Sequence, residues 1–172
     1  MSAPTVDAPT VDVPAAPRRE DVAQVVTFAL GDDLFAFDVR EVERVIRYRA
    51  PVAVPRMPDW AAGMLESWYG SFALLDLRRR FSLPPAPAEL EPRIVVLPHE
   101  TGRIGVVVDR VLEVARVAPG HLDPAPPLFR GLAAESVIGI LRREGPPALV
   151  LSAAWLLTSA ERVALREAMP GV

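Results

Sequence analysis

Short apolar segments separated by turn-forming residues run along most of the chain. Residues 25–30 are β-branched or apolar, residues 34–37 are apolar, and the two runs flank the sequence Gly31-Asp32-Asp33. Residues 72–77 form a further strand-like segment. Apolar runs of this length that end at Gly, Asp or Pro are typical of β-strands joined by tight turns. The pattern therefore predicts a mainly β fold.

The second half of the chain repeats the pattern of the first. Both halves contain a strand, turn, strand sequence followed by the motif V-x-E-V-x-R-V. Two later pairs of matching segments are separated by the same number of residues. The matched segments are residues 39–45 with 111–117, 63–65 with 139–141, and 73–75 with 149–151. Such self-similarity indicates an internal duplication, which predicts two small β-barrels of about five strands each, packed together.

The boundaries of these units follow from proline content and apolar spacing. Residues 1–24 are rich in proline with little to bury, which predicts a disordered tail. Lobe one then covers about residues 25–83, and lobe two about residues 93–157. The intervening residues 84–92, Pro-Pro-Ala-Pro-Ala-Glu-Leu-Glu-Pro, predict a stiff linker. After Thr158, a nearby Glu and spaced apolar residues predict a C-terminal helix over residues 158–169.

Composition and charge exclude several classes of function. The chain has 172 residues, no Cys and a net charge of -3. Disulfides, thiolate zinc sites and cysteine nucleophiles are therefore excluded, and a nucleic-acid surface is disfavoured because no basic block is present. No apolar run approaches the roughly 20 residues that cross a membrane. We therefore expect a cytoplasmic protein with no direct membrane insertion.

Catalytic and cofactor motifs are missing from the sequence. The two histidines, His99 and His121, fall in predicted turns or loops without a partner at ligand spacing, and we expect both to be solvated. The glycines form neither a dinucleotide fingerprint nor a Walker loop. We therefore expect no catalytic residues, no metal and no cofactor. What remains is contact surface: Trp68 and Tyr69 are flanked by polar residues, so they either anchor an interface or cap a barrel end.

The order and spacing of several motifs resemble the CheW family of bacterial chemosensory coupling proteins over about residues 25–168. Residues 28–31 and 35–38 resemble the family's first hairpin, Leu75-Asp76-Leu77-Arg78 its I/V-D-L-R strand end, and residues 105–111 its G-x-x-V-D-x-V segment. The resemblance implies a CheW-like domain over residues 25–170, made of two packed SH3-like five-stranded barrels with short helices. It also implies a non-enzymatic adaptor.

The family resemblance implies partners and their sites. CheW proteins link the cytoplasmic tips of chemoreceptors, the methyl-accepting chemotaxis proteins, to the regulatory domain of a CheA-type histidine kinase within receptor arrays. By similarity, the receptor helix would dock in a groove between the lobes that uses Val42, Val111 and Val114. These three positions are apolar here, as helix-in-groove docking requires.

Four residues depart from the family pattern on the surface that the resemblance assigns to kinase contact. Arg44 replaces a Glu; Glu66, Trp68 and Tyr69 stand where the family has Asn, Arg and Gly. A reversed charge and the loss of a forked donor are not conservative changes at a charged interface. We therefore hypothesise that receptor docking is kept while the kinase contact is weakened or altered, or is replaced by contact with another CheW-like protein.

A second class of function remains open from the sequence. The duplicated motif and the valines are also compatible with an SH3-like interaction module of an unrelated signalling or motility complex. An enzyme is disfavoured because no site supports one.

Overall fold

The computed structural model describes residues 15–125 and 135–169. Within these ranges the chain forms eleven strands, two α-helices and three short 3₁₀ turns, which confirms the mainly β fold. The strands are β1 (Gln24–Leu30), β2 (Asp33–Asp38), β3 (Arg44–Arg47), β4 (Ala61–Ser67), β5 (Gly70–Asp76), β6 (Arg93–His99), β7 (Gly102–Val108), β8 (Arg110–Arg116), β9 (Leu122–Asp123), β10 (Val137–Leu141) and β11 (Ala148–Leu151). The helices are α1 (Leu77–Arg80) and α2 (Ser159–Ala168), and the 3₁₀ turns are Arg19–Asp21, Val39–Glu41 and Ala153–Trp155.

The strands form two sheets. The first sheet is six-stranded, with the order β8-β1-β2-β11-β10-β9, and the second is five-stranded, with the order β3-β6-β7-β5-β4. The first sheet thus has one strand more than predicted, because the two-residue strand β9 pairs with β10. Each sheet contains one parallel pair, β2 with β11 and β5 with β7.

The two sheets divide the chain differently from the predicted lobes. The hairpin β1–β2 comes from the first half of the chain but pairs with β8 and β11 of the second half. Likewise, the hairpin β6–β7 pairs with β3 and β5 of the first half. The duplicated halves have therefore exchanged their first hairpins. Each hairpin completes the sheet of the other half, so the boundaries 25–83 and 93–157 do not correspond to the sheets.

Matching glycines show that the duplication extends to backbone detail. The β4–β5 register shifts between Ala61 and Gly63, and the β10–β11 register shifts between Val137 and Gly139, at the repeat spacing read from the sequence. A Cβ on Gly63 would lie 2.5 Å from the Val52 carbonyl oxygen. A Cβ on Gly139 would lie 2.6 Å from the Asp123 carbonyl oxygen. Both bulges need glycine because a neighbouring backbone approaches too closely for a side chain.

The segment between β3 and β4 adds a backbone bridge to the edge of the five-stranded sheet. The chain leaves edge strand β3 and returns to edge strand β4, where Val52 and Met64 exchange backbone hydrogen bonds of 2.8 Å. In the first sheet, residues 117–121 connect edge strands β8 and β9 directly.

The main core lies between the two sheets and takes residues from both. Phe28, Phe37, Leu75 and Val106 are among its fully buried members, and helix α2 packs on it through Leu165. The predicted C-terminal helix is thus observed as α2, with a capping box between Thr158 and Glu161.

The predicted tail is only partly described, since residues 1–14 lie outside the described ranges. Its last residues are ordered: Arg19–Asp21 form a 3₁₀ turn, and Val22 is buried beside β1. The prediction of disorder up to residue 24 is therefore wrong for this portion, because Val22 has an apolar cluster to join.

Candidate functional site

The three valines of the expected receptor groove lie on the edges of the two sheets. Val42 follows the Val39–Glu41 turn and leads into β3, the edge of the second sheet. Val111 and Val114 lie in β8, the edge of the first sheet. Val42 and Val111 are half-buried against the main core, whereas Val114 is 58% exposed.

Strand register identifies a fourth apolar position that sequence reasoning missed. Val114 pairs with Val26 in hairpin β1–β2, and Val45 pairs with Val95 at the equivalent position of hairpin β6–β7. Val45 is therefore the counterpart of Val114, and it is 40% exposed.

The register thus aligns Val45, and not Val42, with Val114. The sequence match V-x-E-V-x-R-V had aligned Val42 with Val114, which is wrong by three residues. A motif match cannot fix register when strands pair across the halves, because register is set by the partner strand.

A buried carboxylate lies next to Val42. Glu41 is 2% exposed, and its Oε1 accepts hydrogen bonds from the Ala153 backbone N–H at 3.0 Å and the Ser152 hydroxyl at 3.3 Å. Burial raises the pKa of Glu41 to about 7, although these hydrogen bonds oppose the shift. Its Oε2 has no hydrogen-bond partner among the described residues. Glu41 thus connects the turn before β3 to the turn after β11.

Three of the four predicted kinase-interface residues come together in one cluster. The Arg44 guanidinium lies 4.1 Å from the centroid of the Tyr69 ring and 5.6 Å from that of Trp68. Trp68 packs edge-on against Tyr69 at 5.2 Å, and Tyr69 stacks on Phe72 at 5.9 Å. These distances suit cation–π and aromatic pairing.

Two residues that sequence reasoning missed hold this cluster in place. Arg44 Nη2 donates to Glu43 Oε1 at 3.1 Å, and Arg103 Nε donates to Glu43 Oε2 at 2.7 Å. Arg103 also lies 5.7 Å from the Tyr69 ring centroid, so Tyr69 contacts both guanidinium groups. We name Glu43, Arg44, Trp68, Tyr69 and Arg103 the Arg44 cluster.

Glu66 lies apart from these contacts. Its side chain is exposed on β4, and its backbone carbonyl accepts a hydrogen bond of 3.0 Å from Arg49. Within the Arg44 cluster, Arg44 Nε and the Tyr69 hydroxyl are buried without a hydrogen-bond partner from the described residues.

A comparison with models of protein families shows which family the chain belongs to. The model described as a CheW-like domain matches residues 24–161. The chain belongs to the CheW family.

Relatives and a solved structure agree with this membership. The chemotaxis protein CheW of Treponema pallidum is 27% identical over 153 residues, which is 87% of this chain and 89% of the relative. The CheW of Klebsiella aerogenes is 26% identical over 142 residues, 83% of this chain and 85% of the relative. The crystal structure of the scaffolding protein TtCheW from Thermoanaerobacter tengcongensis superposes with a TM-score of 0.72 at 20% identity. The match covers 81% of this chain and 90% of that chain.

One expectation about the histidines of this CheW-family chain is wrong. His99 is buried at the end of β6, where its Nδ1 lies 2.8 Å from the Thr101 hydroxyl, and burial lowers its pKa. The sequence did not indicate this burial, because His99 follows Pro98 and precedes polar residues, as an exposed turn residue would. Residues 15–125 and 135–169 contain no group of three His, Asp or Glu side chains suited to a metal ion. They also contain no helix long and apolar enough to cross a membrane.

Proposed function

We propose that this chain is a non-enzymatic adaptor that couples the cytoplasmic tips of chemoreceptors to a CheA-type histidine kinase within receptor arrays. The observation that carries the proposal is the pair of equivalent sheet edges beside the main core. Each edge presents one half-buried valine, Val42 or Val111, and one exposed valine, Val45 or Val114. An apolar strip of this kind suits a helix laid between two barrels.

The adaptor role is one of differential binding. A receptor helix that contacts both sheet edges would favour particular arrangements of the two sheets and of the proteins bound to them. The surface that the family resemblance assigns to kinase contact is altered here, and it corresponds to the Arg44 cluster. Arg44 stands in place of a family Glu and lies against the Trp68 and Tyr69 rings. We propose that the kinase regulatory domain, or another CheW-like protein, binds there.

The receptor site is tested by titration calorimetry of the full chain against a receptor tip fragment from the same organism. Val114→Glu places a charge in the apolar strip, and we expect it to weaken binding at least about tenfold because a buried interfacial charge has no partner. Val163→Glu is the matched control, since Val163 is also about half exposed but lies on α2.

Three results separate the alternatives. Equal affinity of the Val114→Glu and Val163→Glu proteins would contradict the groove. Receptor and kinase binding by the unmodified chain would support the coupling role. Failure of the unmodified chain to bind either protein would favour an interaction module of an unrelated signalling or motility complex.

A further inference from the structure

Trp68 has an unusual position for a large apolar side chain. It is 87% exposed, more than any other large apolar residue described in residues 15–125 and 135–169. It follows β4 at the turn into β5, where the chain bends at Gly70. An exposed Trp of this kind contributes little to folding, and Trp is among the residues that most often dominate binding energy at interfaces.

The rings beneath Trp68 form a fixed base. Tyr69 stacks on the fully buried Phe72 and is in turn covered by the guanidinium of Arg44. Glu43 restrains Arg44 and Arg103 at once, because each arginine bonds a different oxygen of its carboxylate. A side chain that rests on a rigid base loses less conformational freedom when a partner binds.

The charge around Trp68 is opposite to that of the whole chain. The net charge of the protein is -3, yet this face has more arginines than glutamates. The charged residues that contacts place in or beside the cluster are Arg44, Arg49 and Arg103 against Glu43 and Glu66. Glu43 is shared between two arginines, so the face keeps excess positive charge.

Arg44 retains donors for an outside acceptor. About a third of its side chain is exposed, and among the described residues it donates only to Glu43. A carboxylate is the acceptor that best matches a guanidinium, both in charge and in fork geometry.

We infer that Trp68 anchors a docking surface for an acidic protein partner, whose apolar pocket takes the indole and whose carboxylates pair with Arg44 and the neighbouring arginines. The inference rests on the proposed function, because it defines the chemistry of the partner at the altered kinase surface. Charge complementarity selects this partner: two copies of the same positive face would repel each other.

The test measures binding of the full chain to acidic candidates from the same organism, namely the kinase regulatory domain and each other CheW-like protein. Titration calorimetry is run at about 50 mM and about 300 mM NaCl, which changes screening of exposed charges severalfold. We expect one candidate to bind with an affinity that falls about tenfold at the higher salt, as electrostatic complementarity requires. We expect Trp68→Ala to lower its affinity by about 30-fold or more.

Trp155→Ala is the matched control. Trp155 is a second exposed tryptophan, about half exposed, and it lies in the Ala153–Trp155 turn after β11 of the first sheet. Its removal leaves the affinity unchanged if the Arg44 cluster is the binding surface. Arg44→Gln supplies a second variant, which we expect to reduce the salt dependence because it removes one charge pair.

The contrary results are distinct. The inference is overturned if no candidate binds, if the bound candidate keeps its affinity with Trp68→Ala, or if the chain self-associates through Trp68. Receptor-fragment binding is measured on the same Trp68→Ala protein. If the Trp68→Ala protein still binds the receptor fragment, the adaptor proposal stands even when the inference fails. If the unmodified chain does not bind the receptor fragment, the proposed function fails as well.

Discussion

At Glu41 a single carboxylate is enclosed between two turns that are far apart in the sequence. It lies beside Val42, and its Oε1 accepts hydrogen bonds from Ser152 and the Ala153 backbone. Only one of its oxygens has a partner among the described residues, which is costly for a buried charged group. Burial therefore favours the protonated form of Glu41 in the folded state.

We predict that Glu41 makes the protein less stable as pH rises from about 4.5 to about 7. Its pKa is raised from 4.5 to about 7 on folding, so the folded chain holds a proton that the unfolded chain has released. The stabilising contribution is fully present below the lower value and is lost as pH passes the upper one. Glu41→Gln should remove this slope, a difference on the order of 3 kcal/mol across the window.

Urea unfolding at several pH values measures this effect as the difference between the Glu41→Gln and unmodified proteins. Glu113→Gln is the control, because Glu113 is the sequence-motif counterpart of Glu41 but is exposed and paired with Arg143. A Glu41→Gln protein whose stability follows the same pH curve as the unmodified protein would rule out the buried proton.

Among the elements, those with local signals were predictable from sequence. The turn at Gly31 joins β1 to β2, as its Gly-Asp sequence predicts. Helix α2 begins and ends within one residue of the prediction, because Thr158 and Glu161 form the expected capping box. By contrast, the repeated motif at residues 39–45 does not show that this segment forms a 3₁₀ turn followed by β3.

The elements of the site were harder to predict. Val45 was missed because its equivalence to Val114 depends on partners distant in sequence, Val95 and Val26. Glu43 and Arg103 were missed because they meet only when β6–β7 packs beside β3. Such contacts leave no local signal in the sequence, whereas helix caps and turns do.

At α2, we predict that Thr158→Ala lowers the free energy of unfolding by about 1 kcal/mol. The Thr158 hydroxyl accepts from the Glu161 backbone N–H at 3.2 Å, and Glu161 Oε2 accepts from the Thr158 backbone N–H at 2.7 Å. The change removes the first of these bonds. Ser159→Ala, one residue later, keeps both and should be nearly neutral. Denaturant titration compares the two variants, and equal losses would show that the box does not stabilise the helix.

For the whole molecule, the exchanged hairpins make each half of the chain incomplete. The β1–β2 hairpin depends on β8 and β11 for its neighbours. The two sheets are further joined at Asp109, whose Oδ2 accepts from the Gly31 backbone N–H at 2.6 Å and from Arg78 Nη2 at 2.5 Å. Arg78 follows β5 of the second sheet, while Gly31 lies in a turn of the first. The protein should therefore fold as one cooperative unit.

We predict that residues 1–83 and residues 93–172, produced as separate fragments, are each unfolded alone and form native structure when mixed. In the first fragment β3 and β5 lack β6 and β7, so both sheets lose strands and the main core loses members from each half. Circular dichroism and a thermal unfolding curve of each fragment and of the mixture make the comparison. Mixed fragments should unfold at a temperature that rises with their concentration, because association is then part of folding.

A chain cut within residues 84–92 after folding serves as the control, since it keeps every strand while removing the covalent linker. It should retain the spectrum of the intact protein. Cooperative unfolding of either fragment alone would mean that a half can pair its own strands, β1–β2 with β3–β5 or β6–β7 with β8–β11. That result would contradict the prediction that each half of the chain is incomplete on its own.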